Sequence, residues 1–324
     1  MRLVLKLLLL ALLLAAAWLA YALWLPLPPG GEKFVMLRPG MSARQIAGEL
    51  ERSGTIRSGR AFLFLHYTRR QSLKAGEYRF ADPASTFQVH DRVARGDIYK
   101  HTVAIPEGYN TYDIAAAIEA AGLGSRAEFL ALTRSELALI SDLDPKASSL
   151  EGYLFPDTYQ FTRTQSLRDM LAAMVRRFRQ EAQSLGLTAN CHDVVTLASI
   201  VEKETGVPEE RPLVAGVFYN RVAKRIALAA DPTVIYAALL AGSYDGVINQ
   251  SDLHMASPYN TYRYPGLPPG PICNPGRASL EAALRPAKTE FLYFVSDNQG
   301  RHLFSRTLEE HARNVAAYRR AAAR

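Results

Sequence analysis

The sequence predicts an α+β protein carried on a single N-terminal membrane helix, and three observations lead there. Leu7 to Leu25 is a run of 19 uncharged, mostly apolar residues, the length of helix that crosses a bilayer core of roughly 30 Å. A strand, a glycine turn, a Ser or Asn and an amphipathic helix follow one another twice, in VMLRPGMSARQIAGEL (35–50) and VAIPEGYNTYDIAAAI (103–118). Further on, helical apolar stripes alternate with short β-branched and aromatic runs, which argues for a mixed, partly antiparallel sheet. The 324 residues suffice for the helix and one or two domains with a real core.

Arg2 and Lys6 precede the apolar run, which puts residues 1–6 in the cytoplasm and the rest outside. Trp18, Tyr21 and Trp24 gather at the far end, where an interfacial aromatic belt sits. Ala20-Tyr21-Ala22 has the form of a signal cleavage site, but the run is longer than the usual apolar segment of a signal peptide. An uncleaved transmembrane anchor at 7–25 is therefore expected, in the inner membrane with a periplasmic or otherwise extracytoplasmic body. Pro26–Gly31 starts a linker (26–32) rich in Pro and Gly.

The composition, 48% hydrophobic and 21% charged, excludes a disordered chain. The net charge of +7 comes from scattered Arg and Lys with no basic run interleaved with aromatics, so no nucleic acid is expected. The seven histidines are isolated and there is no CxxC, so neither a metal nor a cofactor is expected. Cys191 and Cys273 leave pairing open, because spacing alone cannot show proximity.

In chain order, the first repeat begins a module at 33–100, and a larger domain follows at 101–324. A second, weaker echo joins GEYRFADPASTFQV (76–89) to DTYQFTRTQSLRDM (157–170). Helices are expected at 193–205, at 209–224 and from Asp231-Pro232, where Asp reads as N-cap and Pro as the first helical residue. A strand at Phe291–Val295 turns through Asp297–Gly300 and returns at His302–Phe304. A polar helix at 307–323 ends the chain.

The chemistry concentrates in ASIVEKET (198–205) and in the loop SPYNTYRYPGLPPGP (257–271). A short apolar helix holds a carboxyl rigidly, and a Tyr/Asn loop offers ring faces and amides to a sugar. At 100° per residue Glu202 and Glu204 fall on opposite flanks of the apolar stripe. Periodicity allows either one to lie at the edge of the core and does not choose between them.

ASIVEKET, ERPLVAGVFYNRV (210–222), DPTVIYA (231–237), YNTYRYPGLPPGPICNPG (259–276) and PAKTEFLYFV (286–295) together resemble the endolytic murein transglycosylase (YceG-like) family, from about Val35 to the C-terminus. The resemblance implies a lytic murein transglycosylase that cleaves the β-1,4 bond between N-acetylmuramic acid and N-acetylglucosamine in nascent glycan strands and leaves 1,6-anhydro ends. It implies Glu202, the first acid of the VEKE motif, as general acid and then base, with a pKa raised by burial. A nearby cation such as Arg221 would oppose that rise. Glu204, about 200° away, is then not expected to reach the same glycosidic oxygen.

By the same resemblance Asn260, Tyr259 and Tyr262 are expected to bind substrate, and Glu151, Asp157 and Tyr159 of LEGYLFPDTY (150–159) to line the cleft. The module at 33–100 is similar to a LysM-like glycan grip, and penicillin-binding proteins are the implied protein partners. One departure stands out: Ala229 and Ala230 precede Asp231 where the family carries a Gln and a small polar residue. Two other classes compete. A non-catalytic wall-binding or scaffold protein shares the anchor and module, and sacculus turnover separates the two. A pyridoxal-phosphate lyase needs a Schiff-base lysine and a phosphate cradle, for which Lys203 alone is poor support.

Overall fold

The computed structural model describes residues 1–189 and 191–322. The chain forms two compact units: residues 1–102 with 160–166, and residues 103–159 with 167–322. The chain passes from one to the other three times, at residues 102–103, 159–160 and 166–167.

The first unit opens with α1 (Arg2–Trp24), long and apolar enough to cross a membrane. Strand β1 (Lys33–Leu37) leads through a turn at Gly40 to α2 (Ala43–Arg52), where Ser42 and Gln45 form a reciprocal capping box. Helix α3 (Gly59–Arg69), strand β2 (Gly76–Phe80) and helix α4 (Thr86–Arg95) follow, and Ser85 with Gln88 caps α4 in the same way. β1 and β2 pair antiparallel, Lys33 opposite Phe80 and Leu37 opposite Gly76. Between this ribbon and the helices Val35, Leu37, Leu50, Phe62, Tyr78, Phe80, Val89 and Val93 form a dry core. The buried Glu77 carboxylate ties in the returning segment by bonds to His101 (2.6 Å) and Arg163 (2.8 Å). Residues after α1 are fastened: Leu27 and Ala84 exchange backbone hydrogen bonds at 2.9 and 3.3 Å.

His90 sits inside this unit against Phe62 and His66, wholly out of solvent, with neither ring nitrogen hydrogen-bonded. Burial first, then the charge of Arg69, pushes its pKa down from 6.5 to about 4. The unfolded chain therefore takes up a proton that the folded chain refuses. Stability is full above about pH 6.5 and falls as pH drops toward 4, by about 3 kcal/mol in all. Urea titrations at pH 7 and pH 4.5 should show this loss, and His90→Phe should remove most of it; an equal acid loss in the variant would refute the assignment.

The second unit begins with β3 (His101–Ala104) and α5 (Thr111–Ala120), capped by Asn110 and Asp113. Helix α6 (Arg126–Ser135), β4 (Thr158–Phe161) and α7 (Leu167–Leu185) follow. The two sequence echoes are thus real at the level of local structure, since each member is a strand followed by a helix, with side-chain caps at Ser42, Ser85 and Asn110.

Helix α8 (His192–Glu204) runs through the middle of the unit and packs on α9 (Arg211–Ala223), α10 (Asp231–Ala241) and α12 (Arg277–Leu284); α11 (Gln250–Leu253) lies beside α10. β5 (Tyr293–Ser296) and β6 (His302–Ser305) pair antiparallel under α13 (Leu308–Ala322).

Three details differ from expectation. Instead of one mixed sheet, the described strands make three separate two-stranded ribbons, because strands of four or five residues hand their apolar sides to helices. The helix expected at 209–224 starts as a 3₁₀ turn, Pro208–Glu210, before α9. Asp231 does not cap α10; Ala230 holds that place, and the Asp231 carboxylate is instead engaged by Tyr262. Both cysteines are buried free thiols, bonded to the carbonyls of Leu143 and Ser199.

Candidate active site

Every residue of α8 from Val195 to Val201 is buried, so for two turns the helix has no solvent face at all. A helix apolar all round is a central one. Its polar character returns only in the last turn, where Glu202 and Glu204 leave on opposite sides.

The Glu202 side is closed. One carboxylate oxygen accepts from the backbone N–H of Gly276 at 2.9 Å and the other from Arg211 at 3.3 Å, and the side chain is only 6% exposed. Gly276 is the N-cap of α12, so Glu202 supplies negative charge to an open helix end. Glu107 comes in from the other side, 3.9 Å from the same Arg211 nitrogen, and burial together with the Glu202 charge raises its pKa. A Cβ at Gly276 would fall 1.9 Å from a Glu107 oxygen, so any side chain there would push the Glu107 carboxylate aside.

The Glu204 side is open. Glu204 lines a cleft of about 320 Å³ with Phe218, Arg221, Asp231, Tyr262 and His311. Burial and, second, the charge of Asp231 raise its pKa from 4.5 to about 7, with Arg221 pulling the other way. Arg221 was expected to oppose an acid in this helix, and it does so weakly. Its guanidinium is committed to the carbonyls of Leu292 (2.6 Å) and Leu228 (2.7 Å) and lies over the Tyr293 ring.

The loop 257–271 is sewn to the segment before α10. The N–H of Ala229 donates to the Thr261 carbonyl, the N–H of Ala230 to the Thr261 hydroxyl, and the hydroxyls of Thr233 and Thr261 meet at 2.8 Å. Ala229 takes a left-handed φ of 47°, unusual for a residue with a Cβ, at the edge of the cleft. Tyr262 donates to Asp231 at 2.5 Å, which raises the phenol pKa after burial and fixes the ring at the cleft wall.

The other residues singled out in the sequence fall in different places. Asn260 is fully buried: its amide donates to the carbonyls of Asp252, Leu253 and Met255, and its oxygen accepts from the Tyr262 N–H. That is an Asx-turn and a loop fastener, with no polar atom left to offer a sugar. Glu151 is 1% exposed and receives Thr111, Tyr236 and Asn274, so it too has no face toward a ligand. Tyr259 packs its half-buried ring on Tyr236 at 5.0 Å. Asp157 pairs with Arg177 at 2.7 Å, and the Tyr159 hydroxyl donates to the Phe155 carbonyl.

The cleft also contains residues not expected at the site. Phe218, Phe294 and His311 arrive from α9, β5 and α13. Phe218 and Phe294 lie within ERPLVAGVFYNRV and PAKTEFLYFV, but nothing local marks them as cleft residues, and His311 lies outside every motif. Among the described residues no three His, Cys, Asp or Glu side chains converge as a metal requires.

A half-buried carboxyl with a pKa near neutral, held at a helix end against a tyrosine loop, has the properties that general-acid chemistry needs, and it sits on a mixed α/β scaffold. The scaffold has relatives. The sequence profile described as the YceG-like family matches residues 35–317, and the chain belongs to that family. A Bacillus subtilis protein named endolytic murein transglycosylase is 33% identical over 300 residues, covering 86% of this chain and 82% of its own. A Streptococcus pneumoniae protein of the same name is 32% identical, covering 95% of this chain and 63% of its own longer one. The crystal structure of a YceG-like protein from Listeria monocytogenes superimposes with a TM-score of 0.58 at 33% identity, over 88% of this chain and 99% of that one.

Proposed function

We propose that this protein is a membrane-anchored lytic transglycosylase of peptidoglycan in which Glu204, not Glu202, moves the proton. Relatives named endolytic murein transglycosylase support a peptidoglycan transglycosylase role. The observation that carries the residue assignment is the pKa of about 7 on a carboxyl facing an open cleft, while the other glutamate is closed in by Arg211 and the Gly276 N–H.

Protonated Glu204 gives its proton to the glycosidic oxygen as the bond from C1 of N-acetylmuramic acid breaks. The C6 hydroxyl of the same sugar then closes on C1 and returns its proton to the carboxylate. No water is consumed, and the acid is regenerated. One carboxyl suffices because nucleophile and leaving group belong to the substrate, whereas hydrolysis normally recruits a second carboxylate for water or for a glycosyl intermediate. Asp231 sustains the raised pKa, and Tyr262, 41% exposed, presents its ring to a sugar face. Asn260 and Glu151 hold the loop and the scaffold instead of touching glycan. Tyr259, Asp157 and Tyr159 act as supports for these walls.

Helix α1 is the anchor, with Arg2 and Lys6 on the cytoplasmic side. The module at 33–100 grips glycan, and the enzyme works beside penicillin-binding proteins. Mass spectrometry of products from purified sacculi tests the reaction. Mainly 1,6-anhydro-N-acetylmuramic ends are expected; reducing ends would make the enzyme a hydrolase, and no products would favour a binding protein.

A further inference from the structure

Helix α1 does not leave the protein before it can span a bilayer. Leu7 to Trp18 rises only about 18 Å, well short of the roughly 30 Å of a hydrocarbon core. Leu3 to Leu5 extend the apolar surface at one end, and Leu19 to Leu25 add about 10 Å at the other. Those last turns are not free. Ala22 and Leu23 are buried against Ala61 and Leu65 of α3, with Leu19 and Phe87 packed alongside. The Ala22 carbonyl accepts from the Thr86 hydroxyl at 2.7 Å, and Arg57 binds the Leu25 and Pro26 carbonyls and lies over the Tyr21 ring. The opposite face of the same turns, Trp18, Tyr21 and Trp24, is more than half exposed. One side of the helix end thus meets lipid and the other meets the module.

Arg57, two residues before α3, thus holds the end of α1, and Ala61 and Leu65 in the first two turns of α3 pack on it. The outer face of α3 carries Arg60, Phe64 and Tyr67 at helical spacing, with Arg70 at the αL end. Phe64 is 51% and Tyr67 60% exposed, an unusual outlay of aromatic surface on an otherwise well-packed module. Aromatic rings among arginines suit the headgroup layer, where rings sit at the apolar boundary and guanidinium groups meet lipid phosphate.

We propose that the outer face of α3, Arg60, Phe64, Tyr67 and Arg70, lies in the headgroup layer of the anionic bilayer that holds α1. The module is then seated on the membrane and does not swing on a linker. This rests on the reading of α1 as a membrane anchor, and the test separates the two.

The full chain is placed in nanodiscs of phosphatidylglycerol and phosphatidylethanolamine, with one environment-sensitive fluorophore on a cysteine at Phe64, Tyr67 or Leu13. Native Cys191 and Cys273 are fully buried and leave labelling to the new site. All three probes should shift to shorter wavelength. Lipid spin labels near the headgroup should remove most of the emission at 64 and 67, and labels deep in the chains most of it at 13. Quenching at 13 with water-like emission at 64 and 67 overturns the proposal and leaves the anchor standing. Water-like emission at all three removes both. Blue-shifted but unquenched emission at 64 and 67 also overturns it, since the face would then be covered by protein. Paired Phe64→Ser and Tyr67→Ser with a probe at Arg60 gives a second reading: its quenching should fall while that at Leu13 persists.

Discussion

Replacing Glu204 by glutamine should lower turnover of sacculi by a factor on the order of 10² to 10⁴, the usual worth of a general acid, with little change in melting temperature. Glutamine keeps the volume and the polar cleft wall but carries no transferable proton. Glu202→Gln should behave in the opposite way. Its side chain is buried between Arg211 and the Gly276 N–H, so the change should cost about 1–2 kcal/mol of stability while leaving most of the turnover of the folded enzyme. The pH profile gives an independent check. A general acid with a pKa of about 7 is active when protonated, so kcat/KM should fall as pH rises through about 7. A dead Glu202→Gln beside an active Glu204→Gln, at equal melting temperatures, would return the acid to Glu202.

The largest stability effect is expected at Glu151. Four donors converge on its buried carboxyl: the Thr111 N–H and hydroxyl, the Tyr236 hydroxyl and the Asn274 amide. Asn274 also accepts from the Leu154 N–H and donates to the Tyr109 carbonyl, so this cluster joins the start of α5, the 150–159 segment and the loop before α12. Glu151→Ala would strand all four donors in a site with no water access and should cost more than about 3 kcal/mol. Burial raises the Glu151 pKa from 4.5 to about 7 against the pull of these donors. A raised pKa means that the folded state holds its proton more tightly, so the contribution is full below about pH 4.5 and is lost as pH rises through 7. Denaturant titrations of wild type and Glu151→Ala at pH 5 and pH 8 measure both quantities. A near-neutral alanine variant would show that the cluster is not a unit of stability.

Much of the fold was legible because it is written in short-range patterns. The apolar run announces α1, and Ser42, Ser85 and Asn110 mark helix starts where the capping geometry is found. The ordered motifs from ASIVEKET to PAKTEFLYFV carry the signature of the YceG-like family to which the chain belongs. Asp231 was misread locally: the Asp-Pro pair does begin a helix, but a phenol 31 residues away claims the carboxylate.

The different surroundings of the two acids of α8 lay beyond any local pattern. Helical periodicity sends Glu202 and Glu204 to opposite flanks, which is all that the sequence by itself could determine. Tertiary structure decided the rest by supplying different neighbours to each flank. On one side Arg211 and the N-terminus of α12 neutralise and enclose Glu202. On the other, Asp231, Tyr262, Phe294 and His311, from four separate elements, leave Glu204 desolvated yet reachable. A carboxyl's proton affinity depends on burial and on charges within a few ångströms, and those distances exist only once the chain has brought residues 202 to 311 together.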